Sequence, residues 1–156
     1  MLSVDNYHRR HPVSTQNLET FFIADHRRCD AAWAALESAA DGGDAPTAVA
    51  AWREFVDAMQ ANLRREEEVL FPAFEGETGM TQGPTVVMRM EHEQMRAVLE
   101  QMRSAAQLGQ WSQVLDYGDT LMMLVQQHNM KEEGVLFPMA GRALHHRWPE
   151  LLPRLG

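Results

Sequence analysis

Two residues four positions apart, His128 and Glu132, are the pair in this chain best placed to do chemistry. On an α-helix that spacing puts both side chains on one face, about 6 Å apart along the axis, so both can reach a single cation. A second glutamate, Glu66, and two further histidines, His26 and His92, fall on apolar stripes of the same kind. Cys29 is the only cysteine, so the chain can form neither an internal disulfide nor a thiolate cage, and any metal must use nitrogen and oxygen. Imidazole with carboxylate favours iron or manganese, with zinc and copper as substitutes.

One fixed offset of 66 residues relates these positions. Asn62-Leu-Arg-Arg-Glu66-Glu67-Glu68-Val69-Leu70-Phe71-Pro72 aligns with His128-Asn-Met-Lys-Glu132-Glu133-Gly134-Val135-Leu136-Phe137-Pro138. The same offset carries His26 onto His92, and Phe22, Cys29, Trp33 and Leu36 onto Met88, Met95, Leu99 and Met102. One duplicated helical hairpin explains all of this. Two such hairpins packed face to face have a pseudo-twofold axis, which places equivalent ligand positions on opposite sides of one central site.

A lone histidine on an apolar helical face is more often a packed core residue than a ligand, so no single one of these would decide the matter. The joint pattern does: three histidines and two glutamates on the core faces of four helices, in a repeat that predicts their positions. Two ionised glutamates facing each other in an apolar interior repel and lose hydration worth several kcal/mol each, and cations between them remove that cost. Two metals bridged by two carboxylates is a known use of a bundle core.

Other candidates weigh less. His8, His11, His145 and His146 lie outside the periodic segments and read as solvated, the last two able to take adventitious metal. In the run Glu66-Glu67-Glu68 only Glu66 has the core phase, and the other two read as a charged outer face. The 11 methionines read as flexible core filler, and Cys29 as a buried structural cysteine.

Hydrophobic period gives the helices that carry this set. A first helix spans about 14–40, with Leu18, Phe22, Cys29, Trp33 and Leu36 on one face and His26 the only polar member. Asp41-Gly42-Gly43-Asp44 breaks it, Asp44 is a plausible N-cap, and Pro46 fits the first turn of a second helix. That helix carries Trp52, Phe55, Met59, Asn62, Glu66 and Leu70, and is expected to end near Phe71-Pro72. The Gly-rich connection 76–84 leads into a third helix with Met88, His92, Met95, Leu99 and Met102, closed by Gly109. The fourth runs from about Ser112 to Phe137 with Leu121, Val125, His128, Glu132 and Leu136. The fold expected is all-α, an up-down-up-down four-helix bundle over 14–140, with an extension at 1–13 and a tail at 141–156. Leu144, Trp148, Leu151, Leu152 and Leu155 make that tail apolar, fit to cap the bundle end or to form a homodimer.

Composition excludes several classes of function. At 156 residues the chain is the size of one domain. Fourteen Lys+Arg against 22 Asp+Glu, a net charge of −8, repel phosphate backbones and anionic lipid, so nucleic acid and membrane are not expected partners. No apolar run approaches a membrane span and Met1-Leu2-Ser3-Val4-Asp5 has no signal-peptide pattern, so the expected location is cytoplasmic.

These residues resemble the hemerythrin-like, or HHE cation-binding, domain. The resemblance rests on Asp25-His26, the end of the second helix from Glu66 to Pro72, Gly83-Pro84 through Glu91-His92 to Arg96, and His128 to Pro138, and covers about 14–140. It implies a non-haem di-iron site that meets dioxygen, nitric oxide or peroxide. Residue by residue, it makes His92 and His128 ligands of one iron, His26 a ligand of the other, and Glu66 and Glu132 bridges between them. Asn62 stands where the family has a histidine, and an amide oxygen coordinates more weakly than imidazole. Arg96 and Glu133 stand where the oxygen-carrying hemerythrins have a histidine and an aspartate, which points away from oxygen transport and towards the bacterial branch associated with iron and with nitrosative or oxidative stress. The metal positions expected are thus His26, Asn62, Glu66, His92, His128 and Glu132, holding one or two iron ions, with manganese or zinc as substitutes. Three functions compete: iron sensing, storage or delivery or response to a small ligand; di-iron reduction of peroxide or nitric oxide; and a metal-free helical interaction module.

Overall fold

A computed structural model describes residues 16–156. His8, His11, the extension at 1–13 and the first residues of the expected bundle lie outside the described residues. Four long helices carry the fold: α1 (Leu18–Asp41), α2 (Ala45–Arg65), α4 (Pro84–Gln107) and α5 (Trp111–Lys131). The shorter α3 (Phe71–Thr78) and α6 (Phe137–Ala143) extend α2 and α5, and α7 (Trp148–Leu151) lies in the tail. No strand occurs among the described residues.

The sequence supplies start signals for the first two helices. At α1 the side chain of Asn17 accepts from the Thr20 N–H at 2.8 Å while the Thr20 hydroxyl accepts from the Asn17 N–H at 2.9 Å, a reciprocal capping box. Asp44 takes the N-cap position of α2, yet its carboxylate accepts from the Thr47 hydroxyl rather than from a backbone N–H. α3 stops at Gly79, whose φ of 72° is left-handed backbone that glycine adopts without strain.

Short turns make α1 and α2 one hairpin and α4 and α5 the other, and the hairpins pack so that α2 lies beside α4 and α1 beside α5. The second and fourth long helices are therefore diagonal, as the repeat requires. At one close approach Gly118 on α5 lies against the Trp33 ring, and a Cβ there would sit 2.1 Å from it.

Neither diagonal helix ends at its proline. Between Arg65 and Phe71, and again between Lys131 and Phe137, one wide π turn intervenes, Glu66–Leu70 and Glu132–Leu136. In each the N–H of the phenylalanine bonds to the carbonyl five residues back, Phe71 to Glu66 and Phe137 to Glu132. The widened turn receives Pro72 and Pro138, which have no N–H to give and whose rings would strike the carbonyl below in a regular helix. The expected ends near Phe71-Pro72 and Phe137 are thus corrected: both helices run on, to Thr78 and Ala143.

The core is layered along the bundle. One apolar cluster joins Trp33, Leu36, Phe55, Met59, Leu99, Met102, Leu121 and Val125; the other joins Phe22, Leu70, Phe71, Phe74, Met88, Leu136 and Phe137. On every long helix buried histidine, carboxylate or amide residues fall between members of the two clusters, as His26 does between Phe22 and Cys29. Leu144, Leu151 and Leu155 of the tail are buried in the second cluster, and the Trp148 indole donates to the Gln16 carbonyl at 2.9 Å. The tail therefore covers the bundle end. No helix among the described residues is long and apolar enough to cross a membrane.

Candidate metal centre

The polar layer contains Asp25, His26, Asn62, Glu66, His92, His128 and Glu132, each 5 % exposed or less. The π turns open at Glu66 and Glu132, so the diagonal helices present these two carboxylates from equivalent distortions of their backbones. Glu66, His92, His128 and Glu132 each offer one donor atom, all within 4.8 Å of one another. Nε2 of His92 and Nε2 of His128 are 3.2 Å apart. Oε1 of Glu132 lies 2.9 Å from His128 Nε2, and Oε2 of Glu66 lies 3.0 Å from His92 Nε2 without a hydrogen bond between them.

His26 meets the same two carboxylates from the other side. Its Nε2 donates to Oε1 of Glu66 at 3.3 Å and to Oε1 of Glu132 at 3.1 Å. The amide nitrogen of Asn62 donates to Oε1 of Glu66 and to Oδ2 of Asp25, both at 3.1 Å. Because both acceptors are carboxylate oxygens, only the NH2 end of that amide can face them. All six expected positions therefore converge on one layer. His145 and His146 are exposed and remote from it, the latter 3.4 Å from Glu77.

An outer ring of carboxylates fixes the imidazoles. Nδ1 of His92 donates to Glu67 at 2.7 Å, and Nδ1 of His26 donates to Glu133 at 2.8 Å. Nδ1 of His128 faces Glu91 at 3.4 Å. A ring held at Nδ1 turns its Nε2 inward, which is how histidine ligands are usually oriented. This corrects the reading of Glu67 as outward-facing: it is half-buried and grips a candidate ligand. Asp25 and Glu91, related by the repeat offset, likewise carry roles that helical phase did not suggest, though their shared acidity at equivalent positions was a usable signal.

Arginines clamp the outer carboxylates through a charge swap. Arg27 pairs with Asp30 and reaches Glu133, both at 3.1 Å. At the equivalent positions stand Glu93 and Arg96, and now Arg96 pairs with Glu93 at 2.8 Å and reaches Glu67 at 2.9 Å. Each hairpin thus lends an arginine to the carboxylate of the other, from opposite ends of the same ion pair.

The electrostatics are those of a site built to hold positive charge. Burial pushes the His26 and His128 imidazoles down, but Glu132 and Glu66 outweigh it and hold both up at about 10. Burial pushes Glu66 up, yet His128, His26 and His92 bring it well below the usual carboxylate range. Glu132 stays raised, by burial and by the charge of Glu66. Burial pushes Glu67 up, and Arg96 and His92 overcome it, so that carboxyl is lowered. Oε2 of Glu66, Oε2 of Glu132 and Nδ1 of His128 remain buried without a hydrogen-bond partner. Buried polar atoms are rarely left so, and unpaired carboxylate lone pairs beside two ring nitrogens fit a divalent cation. By contrast the Cys29 thiol, pushed up to about 12 by burial and by Asp25, donates to the Ala58 carbonyl and has no thiolate character to offer.

Comparison with curated proteins and with solved structures gives no match. Comparison with protein families gives one: residues 17–140 match the hemerythrin HHE cation-binding domain, over a span that contains the whole polar layer and both π turns. The chain belongs to the hemerythrin HHE cation-binding domain family.

Proposed function

We propose that this protein binds non-haem iron in the polar layer and acts there in iron sensing, storage or delivery, or in the response to dioxygen, nitric oxide or peroxide. The observation that carries this is the convergence of His92 Nε2 and His128 Nε2 on two wholly buried carboxylates whose Oε2 oxygens have no hydrogen-bond partner. His92, His128, Glu66 and Glu132 would hold the ion, and His26 and Asn62 face the same layer from the other side. Ferrous iron bound there would supply an electron and an exchangeable coordination position.

The residues around it set what else can enter. With every candidate ligand at most 5 % exposed, the layer favours a diatomic molecule or peroxide over any bulkier substrate. Glu67 and Glu133 keep the His92 and His26 rings turned inward, Glu91 faces the His128 ring, and Arg96 and Arg27 keep the first two carboxylates in place. Metal analysis of protein purified from iron-supplemented cells, with optical spectra under air and under nitric oxide, tests the reading. Iron is expected in the natural chain and its loss in the double variant His128→Ala, Glu132→Ala. Retention of the full complement by that variant refutes it.

A further inference from the structure

The repeat makes the two sides of the layer comparable position by position, and among the six inner residues they differ in type at one place. On one side stand His128, Glu91 and Lys131; the same offset places Asn62, Asp25 and Arg65 on the other. Glu91 lies 3.4 Å from Nδ1 of His128 and accepts from Lys131 at 2.9 Å. Asp25 accepts from Asn62 at 3.1 Å and from Arg65 at 2.7 Å. The outer carboxylate and its cation are thus present on both sides. What they hold is an imidazole on one and an amide on the other.

The amide is held firmly. Asp25 is buried and accepts from Arg28 as well as Arg65, and Arg65 is itself tied by its Nε to the Leu155 carbonyl of the tail at 2.9 Å. With one N–H of Asn62 fixed on Asp25, the other is aimed at Oε1 of Glu66. That oxygen also accepts from His26. Its mate, Oε2, makes no hydrogen bond and lies 3.0 Å from His92 Nε2 and 3.8 Å from His128 Nε2. An amide nitrogen has no lone pair to give a metal, so this brace turns Asn62 from a ligand into a donor.

We infer that Asn62, braced by Asp25, Arg65 and Leu155, is a positioning residue that commits the free oxygen of Glu66 to His92 and His128, so that the chain holds one ion tightly, on that side only. The inference rests on the metal reading above and narrows it from two ions to one. The four residues whose donor atoms cluster within 4.8 Å are the set that this predicts, and His26 is not among them. On the His26 side Nδ1 lies 2.8 Å from Glu133 and Nε2 3.1–3.3 Å from Glu132 and Glu66, and the amide places an N–H donor where a second imidazole would have given a lone pair.

Anaerobic titration of the metal-free full chain with Mn(II), followed by the electron paramagnetic resonance of the free ion, tests this directly. The natural chain is expected to take up one Mn(II). Asn62→Ala is expected to take up one as well, bound about 10-fold more weakly, the usual consequence of losing an outer-shell hydrogen bond. Asn62→His is expected to take up two, because the new ring restores a second imidazole on that side, with Asp25 standing where Glu91 faces His128. Two ions in the natural chain, with one lost in Asn62→Ala, would make Asn62 a ligand and overturn the inference alone; no uptake by the natural chain overturns the metal reading itself. Circular dichroism checks the fold of each variant, and Asp25→Asn repeats the test without touching the layer's candidate ligands: one ion bound more weakly supports the brace, and unchanged affinity overturns it.

Discussion

His92 and Glu67 form the shortest link between the inner and outer rings of the site, Nδ1 to Oε1 at 2.7 Å, although they come from different hairpins. The pseudo-twofold equivalent joins His26 to Glu133 at 2.8 Å. Each hairpin therefore orients the imidazole of the other, and the site is complete only when the two are packed together.

That relationship predicts the effect of losing the outer carboxylate. Glu67→Ala removes the acceptor that holds His92 and leaves Arg96 with only Glu93, so metal affinity should fall by about 10- to 100-fold while the fold persists. Glu68, its exposed neighbour, is the control, and Glu68→Ala should leave affinity unchanged. Equal losses in both variants, measured by competition with a chelator, would show that the effect is bulk charge and not orientation.

Why Glu67 escapes a reading of period, when Glu66 does not, is a matter of backbone. A 3.6-residue period assumes that each turn consumes the same number of residues, and the π turn at Glu66–Leu70 adds one, which rotates the rest of the helix by about 100°. Adjacent glutamates can then both serve the layer. The positions of His26, Glu66, His92, His128 and Glu132 are legible because apolar neighbours and the offset of 66 residues mark them independently. Pro72 is legible as a helix-breaker only on the assumption of regular α geometry. The arginine clamps are hidden for another reason: the repeat keeps the ion pair at 27 and 30 and at 93 and 96 but exchanges its charges, so comparing residue types finds nothing there. The direction of the Asn62 amide depends on Asp25, Arg65 and Leu155 together, a contact between remote segments that no local pattern carries.

A packing prediction tests the bundle apart from its site. Gly118→Ala places a methyl group 2.1 Å from the Trp33 ring, which is enclosed by Phe55 and other core side chains. Overpacking of this kind costs about 1–3 kcal/mol. Chemical denaturation should show the loss, and the double variant Gly118→Ala, Trp33→Leu should recover part of it. No change in the single variant would mean that α1 and α5 are farther apart than described.

Metal should stabilise the fold, because it neutralises Glu66 and Glu132 and satisfies their unpaired oxygens. A ligand that binds only the native state adds about 2.7 kcal/mol at 100 times its dissociation constant. Differential scanning calorimetry should therefore give a higher Tm with Fe(II) or Mn(II) than with chelator. Glu132→Gln should narrow that gap, since it removes a buried carboxylate whose unpaired oxygen the ion would satisfy. Coincident melting curves for loaded and stripped natural protein would place the bound ion outside the buried layer.

The pH dependence of the metal-free protein should run opposite to that of metal uptake. His26 and His128 stand at about 10 in the fold against an ordinary 6.5, so each stabilises the native state fully below 6.5 and loses that contribution as pH rises towards 10. The gap is worth on the order of several kcal/mol for each buried ring, shared with the carboxylates that cause it. Glu66, lowered in the fold, contributes in the other sense, but only as pH falls below the carboxylate range, outside this window. The stripped protein should thus lose Tm between pH 7 and 10. Metal must displace the same protons, so its affinity should rise across that interval and the gap between loaded and stripped melting curves should widen. Parallel curves from pH 7 to 10 would show that neither histidine carries a proton in the metal-free layer, and would sink the claim that Glu132 and Glu66 outweigh burial there.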